Sequence, residues 1–230
     1  MNLLIVAATP FEVAPLLAWL EQKHTQTGPF RFRCGQSEVS VLITGVGMPL
    51  TAYALGKVLP GGQFNLAINA GIAGAFNRQL ALGTVVQVVS ERFGDLGAEE
   101  ANGDFLNVHD MGLIAPDQSP FRRGHLINEA AGAFDFLPKA KGLSVNRVHG
   151  SENSIAQAKN AFDADIESME GAAFFYACLM EETPFLEIRS ISNYVEPRNR
   201  EHWNIPLAID KLNAVLVEVM EALCQAEPEE

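Results

Sequence analysis

The sequence predicts an α/β fold, a single domain in which a central mixed, mainly parallel sheet is flanked by helices. Short β-rich runs alternate with helical patterns along the chain, the order expected of such folds. The runs are near-continuously apolar, as in strands covered on both faces. At 230 residues and 48% hydrophobic, with a mean hydropathy of +0.08, the chain suits one sizeable core and is short for two. No repeat, low-complexity linker or composition shift divides it, so residues 1–230 are read as one domain.

Residues 3–7 open the chain as a buried strand. They are apolar but few, lack a preceding basic segment and run into Thr9-Pro10, unlike a signal peptide. Residues 10–21 have helical spacing and begin with proline, which suits a first helical turn. Strands at 31–34 and 38–44, joined at Gly35-Gln36, read as a hairpin that makes the sheet mixed. A second proline-led helix covers 49–59, and strands follow at 66–69 and 84–90. The stretch 93–120 is rich in Gly, Asp and Asn with little periodicity, and long irregular segments in a compact domain are usually functional or mobile. A helix over 168–181, a strand over 185–191 and a helix over 206–224 complete the pattern.

Composition excludes several functions. A net charge of -12 argues against nucleic acid as a partner, because phosphate binding needs clustered Lys and Arg. A small acidic run, Glu227, Glu229 and Glu230, reads as a solvated tail. No stretch reaches the roughly 18 apolar residues that would cross a bilayer, so no membrane partner is expected and a cytoplasmic protein is the default. Cys34, Cys178 and Cys224 are odd in number and form no Cys-x-x-Cys pair. They suit buried free thiols in a reducing compartment better than disulfides or zinc. His24, His109, His125, His149 and His202 show no metal-ligand spacing, and no metal or cofactor is expected.

The chemistry-bearing residues stand at predicted strand ends, where ligands bind in open α/β sheets. Ala8-Thr-Pro-Phe-Glu12, Thr44-Gly-Val-Gly-Met48, Asn69-Ala-Gly-Ile-Ala-Gly74 and Ser192-Asn193 each follow a strand. Their glycines let backbone approach a ligand, yet strand-to-helix turns also need glycine. Neither glycine run matches a P-loop or the Gly-x-Gly-x-x-Gly fingerprint. Asn193 is either a reader of a small ligand or a turn residue bonding its own backbone. Glu170, in Asp165-Ile-Glu-Ser-Met-Glu-Gly-Ala-Ala173, is either functional or a carboxylate favoured at a helix start.

Together, in this order, the five segments resemble the nucleoside phosphorylase and nucleosidase superfamily. Within it the chain is most similar to methylthioadenosine/S-adenosylhomocysteine nucleosidases and the related futalosine hydrolases. The likeness covers nearly the whole chain and implies a nucleoside phosphorylase-like fold. Met169 and Glu170 resemble the family's ribose-binding motif, with Glu170 on the sugar hydroxyls. Glu12 matches the glutamate that positions the attacking water, and Gly71 and Ile72 fall in the turn beneath the purine. Asn193 replaces the family's purine-protonating aspartate.

Three departures separate the chain from the adenine-specific members. An Asn amide has two donors for N7 and O6 of hypoxanthine, and the superfamily's 6-oxopurine phosphorylases likewise use asparagine. Arg147, followed by Val148, falls near the purine-stacking position, where guanidinium can lie on a ring. Ile72 removes a hydroxyl from the purine turn. The block Asn193-Tyr-Val-Glu-Pro-Arg-Asn-Arg200 and Trp203 look like futalosine hydrolase, whose substrate carries a 5′ extension ending in an aromatic carboxylate. Trp203 would face that extension, and Arg198 or Arg200 either pairs with the carboxylate or is solvated.

The resemblance implies hydrolysis of the N-ribosidic bond of futalosine, with Glu12 and Asn193 catalytic, no cofactor, and a homo-oligomer, dimer or higher. An amide cannot act as an acid toward N7, so the proton source is open. The alternatives are a 6-oxopurine nucleoside phosphorylase, an adenine-specific nucleosidase and a non-catalytic purine-binding module. A phosphorylase would need an anion site, and Arg78 and Arg92 are the arginines nearest the glycine turns in sequence.

Overall fold

Strands β1 (Asn2–Ala7), β4 (Ser37–Ile43), β5 (Leu66–Ala75) and β12 (Phe185–Tyr194) form the parallel centre of a mixed sheet in the computed structural model, which describes residues 1–133 and 136–225. Around them stand β2 (Thr25–Gly28), β3 (Arg31–Cys34), β6 (Val85–Phe93), β9 (Leu126–Ile127), β10 (Lys139–Ser144) and β11 (Ile166–Ser168). The order is β11-β10-β6-β12-β5-β1-β4-β3-β2, with β9 on β6. A further antiparallel pairing of β11 with β5 closes β5, β12, β6, β10 and β11 into a ring. β7 (Gly97–Glu99) and β8 (Phe105–Asn107) make a separate hairpin inside the stretch expected to be irregular.

Helices cover both faces, which explains the near-continuous apolar strands. α2 (Met48–Val58) and α4 (Gly171–Met180) pack with Leu4, Val6, Val86 and Val88 on one side. On the other, α1 (Ala14–Lys23) and α5 (Ile205–Gln225) bury Leu16, Leu20, Leu212 and Leu216 against Leu3, Ile5 and Ile68. α3 (Glu152–Ala161) closes a third cluster with Leu143, Val145 and Phe162. No helix among the described residues is long and apolar enough to cross a membrane.

Four expectations change. The strands expected at 66–69 and 185–191 run on to Ala75 and Tyr194, so the glycine segment and Asn193 lie within strands. Small residues such as Gly71, Ala73 and Gly74 pair in the ladder with Arg189, Ile191 and Asn193, and neighbouring strands outweigh glycine's weak strand preference. The helix expected over 10–21 begins as a 3-10 turn, Pro10–Val13, before α1. β2, β10 and α3, all rich in polar residues, were not anticipated. α3 is set by its cap, where Ser151 Oγ accepts from the Ser154 N–H at 3.2 Å.

The cysteine expectation fails in part. Cys34 and Cys224 form a disulfide with Cα atoms 5.5 Å apart, although 190 positions separate them in sequence. β3 and the end of α5 bring them together, which spacing along the chain cannot reveal. Cys178 is free and buried. The acidic tail, 227–230, lies outside the described residues.

Candidate active site

A cavity of about 350 Å³ opens where β1, β5, β11 and β12 end, with Val46 and Trp203 also in its lining. It gathers Glu12, Ile72, Val148, Met169, Glu170, Asn193, Arg198 and Trp203 from the residues expected at a site.

Glu12 sits in the 3-10 turn that follows β1, with Pro10 fixing the first turn. Its Oε2 accepts from the Thr9 N–H and the Thr9 hydroxyl, both at 3.0 Å, and Oε1 accepts from the Ile72 N–H at 3.3 Å. Asn213 of α5 steadies the same turn by donating to the Glu12 carbonyl at 2.8 Å and accepting from the Leu16 N–H at 3.0 Å. Gly71 is buried beneath the carboxylate rather than in the cavity wall. A Cβ there would overlap Arg189 Nη1 and stand 2.9 Å from Glu12 Oε1, so glycine is needed for the close approach.

Glu170 precedes α4 and is buried. The Gly47 N–H donates to its Oε1 at 3.0 Å from a turn in which Gly47 has φ +98°, a conformation that glycine adopts without strain. Burial raises the Glu170 carboxyl above its ordinary value, and the positive charge of Arg189 opposes the rise. Met169 lies beside it in the cavity wall.

Arg189, absent from the expected site, is the cation beneath it. It is 1% exposed, and its Nε lies 2.9 Å from Glu187 Oε1 while Nη1 donates to Asn69 Oδ1 at 3.2 Å. Glu12, Glu91, Glu170 and Glu187 all act on its charge. Glu91 and Glu187 are fully buried and meet beside Gly171, where a Cβ would overlap Glu91 Oε1 and lie 2.7 Å from Glu187 Oε1. Burial, reinforced by Glu187, raises Glu91 well above the ordinary value. Burial, with Glu170, raises Glu187 to about 7. One buried cation among the three buried carboxyls of Glu91, Glu170 and Glu187 therefore favours protons on some of them. The signal in sequence was Glu187-Ile-Arg189, two charges two residues apart in an otherwise apolar strand, and so on one face of it.

Asn193 stands at a bulge of β12, paired with Gly74. Its Oδ1 accepts from the Ser192 hydroxyl at 2.8 Å, and Nδ2 donates to the Tyr194 carbonyl at 3.0 Å, leaving one amide hydrogen. Gly74 makes room for it, since a Cβ there would lie 3.1 Å from Nδ2. On the other side of Gly74, β11 places Glu167. The His149 backbone N–H donates to Glu167 Oε1 at 3.1 Å, and the ring Nδ1 contacts Oε2. Both residues line the cavity, and neither was singled out in the sequence as a purine contact.

Three expected residues lie elsewhere. Arg147 is exposed and lines a neighbouring cleft with Asp95, Asn102 and Phe105, because the backbone turns its side chain outward just before Val148. It does not meet the expectation of a purine-stacking residue. Gly71 is beneath the floor, as described. Arg200 is exposed outside the cavity, its guanidinium 5.9 Å from the Trp203 ring centre, whereas Arg198 is 5.2 Å from that ring and reaches the wall. Of the arginines considered for an anion site, Arg78 pairs at 2.7 Å with Glu196 of the cavity wall and lies over the Tyr194 ring, and Arg92 stacks on Phe162 at 4.9 Å; neither lines the cavity itself. Among the described residues no group of three or more His, Cys, Asp or Glu side chains is placed to hold a metal ion.

An α/β sheet whose strand ends deliver two carboxylates and an amide to one cavity defines the small-molecule site of an open α/β protein. The model of the phosphorylase superfamily matches residues 2–224, and the chain belongs to that superfamily. It is 32% identical over 196 residues to futalosine hydrolase of Streptomyces coelicolor, across 83% of this chain and 82% of that protein. It is 27% identical over 232 residues to the 5′-methylthioadenosine/S-adenosylhomocysteine nucleosidase of Colwellia psychrerythraea, across 92% and 93% of the two chains. The crystal structure of the Colwellia nucleosidase in complex with adenine superposes with a TM-score of 0.78 at 21% identity, covering 97% of this chain and 96% of that one. The last likeness is one of fold.

Proposed function

We propose that the protein hydrolyses the N-ribosidic bond of futalosine, releasing hypoxanthine and dehypoxanthine futalosine, in the formation of menaquinone. The observation that carries the reading is the Glu12 carboxylate, held at both oxygens and facing the same cavity as Glu170 and Asn193. Hydrolysis of a purine nucleoside is the activity named for the relatives of both kinds. The finer substrate rests on Asn193, whose free amide hydrogen can donate to O6 or N7 of a 6-oxopurine, and on Arg198 beside Trp203 for a 5′ carboxylate.

In this mechanism Glu12 orients a water and takes its proton as it attacks C1′. Glu170 accepts from the 2′ and 3′ hydroxyls, Met169 packs on the sugar, and Ile72 and Val148 enclose the base. Asn193 stabilises the charge that develops on the departing hypoxanthine. Arg189, bonded to Glu187 and Asn69 beneath the floor, favours the ionised Glu170 by its positive charge. A phosphorylase is disfavoured because a phosphate dianion at C1′ would lie against Glu12, with Arg78 already paired to Glu196 and Arg92 stacked on Phe162. We also propose a homo-oligomer, as the resemblance implies, with the exposed apolar side chains Leu50 and Tyr53 of α2 and Met180 of α4 as surface for a second copy.

The test is an assay of futalosine, its 6-amino analogue, inosine and methylthioadenosine, with and without phosphate. Phosphate-independent release of hypoxanthine from futalosine, well ahead of the other three, is the expected result. Equal cleavage of all four would overturn the roles of Asn193 and the 194–203 loop. Affinity without product would make the protein a binding module.

A further inference from the structure

From the geometry of the cavity we infer that His149, oriented by Glu167, is the acid that protonates the leaving purine. The inference rests on the hydrolytic reading above and supplies what that reading lacks, since Asn193 has no proton to give.

Glu167, Gly74 and Asn193 are register partners across β11, β5 and β12. Residues paired in this way project to the same face of a sheet, and the middle one has no side chain. Asn193 and Glu167 therefore flank Gly74 on the two neighbouring strands, both in the cavity lining, with Val195 Cγ2 and Asn193 Nδ2 each 3.1 Å from where a Gly74 Cβ would stand. Glu167 is 4% exposed, and both of its oxygens are occupied by His149, one by the backbone N–H and one by ring Nδ1. Among the described residues it has no lysine or arginine partner in the form of an ion pair.

Nδ1 therefore carries a hydrogen toward the carboxylate, and Nε2 is the ring nitrogen left for a ligand. A carboxylate in this position fixes the tautomer and orientation of the ring, as it does where histidine moves a proton in catalysis. The ring is further fixed by Phe76, whose centroid is 6.4 Å away. The other charged groups lining the same cavity are Glu12, Glu170, Glu196 and Arg198, and Asp95, Glu99 and Arg147 line the neighbouring cleft that His149 also borders.

The step balances as follows. The C1′–N9 bond breaks with its electron pair going to the base, the proton on His149 Nε2 passes to N7, and water adds to C1′ while its proton passes to Glu12. His149 regains a proton from solvent and Glu12 loses one to it. Asn193 holds the base edge while the neighbouring imidazolium delivers the proton.

The test compares wild type, His149→Gln, Glu167→Gln and Glu12→Gln on two substrates. One is whichever purine nucleoside the wild type cleaves, and the other is its N7-methyl analogue, whose base leaves without needing a proton. Removing a positioned acid typically costs about 10²- to 10⁴-fold. His149→Gln should lose about 10²-fold or more in kcat on the first substrate and stay within about 3-fold of wild type on the second. Glu167→Gln should show the same pattern more weakly, and Glu12→Gln should lose on both. Equal losses of His149→Gln on both substrates, or full activity on the first, would overturn the inference.

If the wild type does not turn over the methylated nucleoside, the kcat profile against pH decides. An alkaline limb that disappears in both His149→Gln and Glu167→Gln supports the acid, and an unchanged limb overturns it. His149→Asn, a smaller change, replaces His149→Gln if the latter does not fold. Failure of the futalosine reading would appear in the wild type alone, as a preference for 6-amino nucleosides. It would leave the His149 comparison intact, because N7 is common to both purines.

Discussion

Glu12 combines two tasks in one side chain, closing its own turn through Thr9 and presenting a carboxylate beside the Ile72 N–H. Glu12→Gln keeps the size and an acceptor oxygen but cannot take a proton, so kcat should fall by about 10²-fold or more. Affinity for hypoxanthine, measured by calorimetry, should change little; a fully active variant would refute the role. Asn193 tests the choice of base. Asn193→Asp keeps the Ser192 contact geometry and exchanges the amide donor for an acceptor, which repels O6 and welcomes a 6-amino group. The ratio of kcat/KM for the 6-amino nucleoside over the 6-oxo one should rise by about 10-fold or more, the equivalent of one charge-assisted hydrogen bond. Glu12, Glu170 and Asn193 were legible in sequence because their types and neighbours form local motifs. His149, Glu167 and Arg189 were not, since each has meaning only through a partner on another strand.

At the level of elements, α5 decides where Glu12 stands. Asn213 is 2% exposed, and its side chain donates to the Glu12 carbonyl at 2.8 Å and accepts from the Leu16 N–H at 3.0 Å. Asn213→Leu keeps the shape but leaves two buried backbone groups without partners. Each such group costs about 1–3 kcal/mol. The urea midpoint should shift accordingly, and kcat should fall as the turn that carries Glu12 loosens. An unchanged midpoint would show that water replaces the amide. The helices and strands of this layer were read from apolar period and proline placement, which explains why α2, α5, β3 and β4 came out nearly at their observed bounds. The ends of β5 and β12 did not, because glycine and polar residues in a ladder are held there by pairing partners rather than by their own preferences.

On the scale of the whole molecule, the buried carboxyls of Glu91, Glu170 and Glu187 around Arg189 link stability to pH. Glu187 is raised to about 7 by burial, so the folded state keeps a proton that the unfolded state releases above its ordinary value. Its contribution therefore favours folding at low pH and is lost as pH rises from the ordinary carboxyl range through about 7. Glu91 and Glu170 act in the same direction. His24 and His125, lowered chiefly by burial, act in the opposite one as pH falls toward them. The difference between Glu187→Gln and wild type isolates the first term. In urea titrations, that difference should move in favour of the variant by on the order of 1 kcal/mol per pH unit between about pH 5 and 7, then level off. A difference independent of pH would mean that Glu187 is ionised throughout.

The sequence by itself determined the fold class, the order of most elements, the superfamily and the three polar side chains at the heart of the cavity. These depend on short-range pattern: apolar period, proline and glycine placement, and motifs within about ten residues. Tertiary structure alone decided that Cys34 meets Cys224, that Arg147 faces outward, that Arg189 underlies two carboxylates and that His149 pairs with Glu167. Those contacts join residues from separate strands and segments, and their energies arise from burial and charge that no single stretch of chain contains.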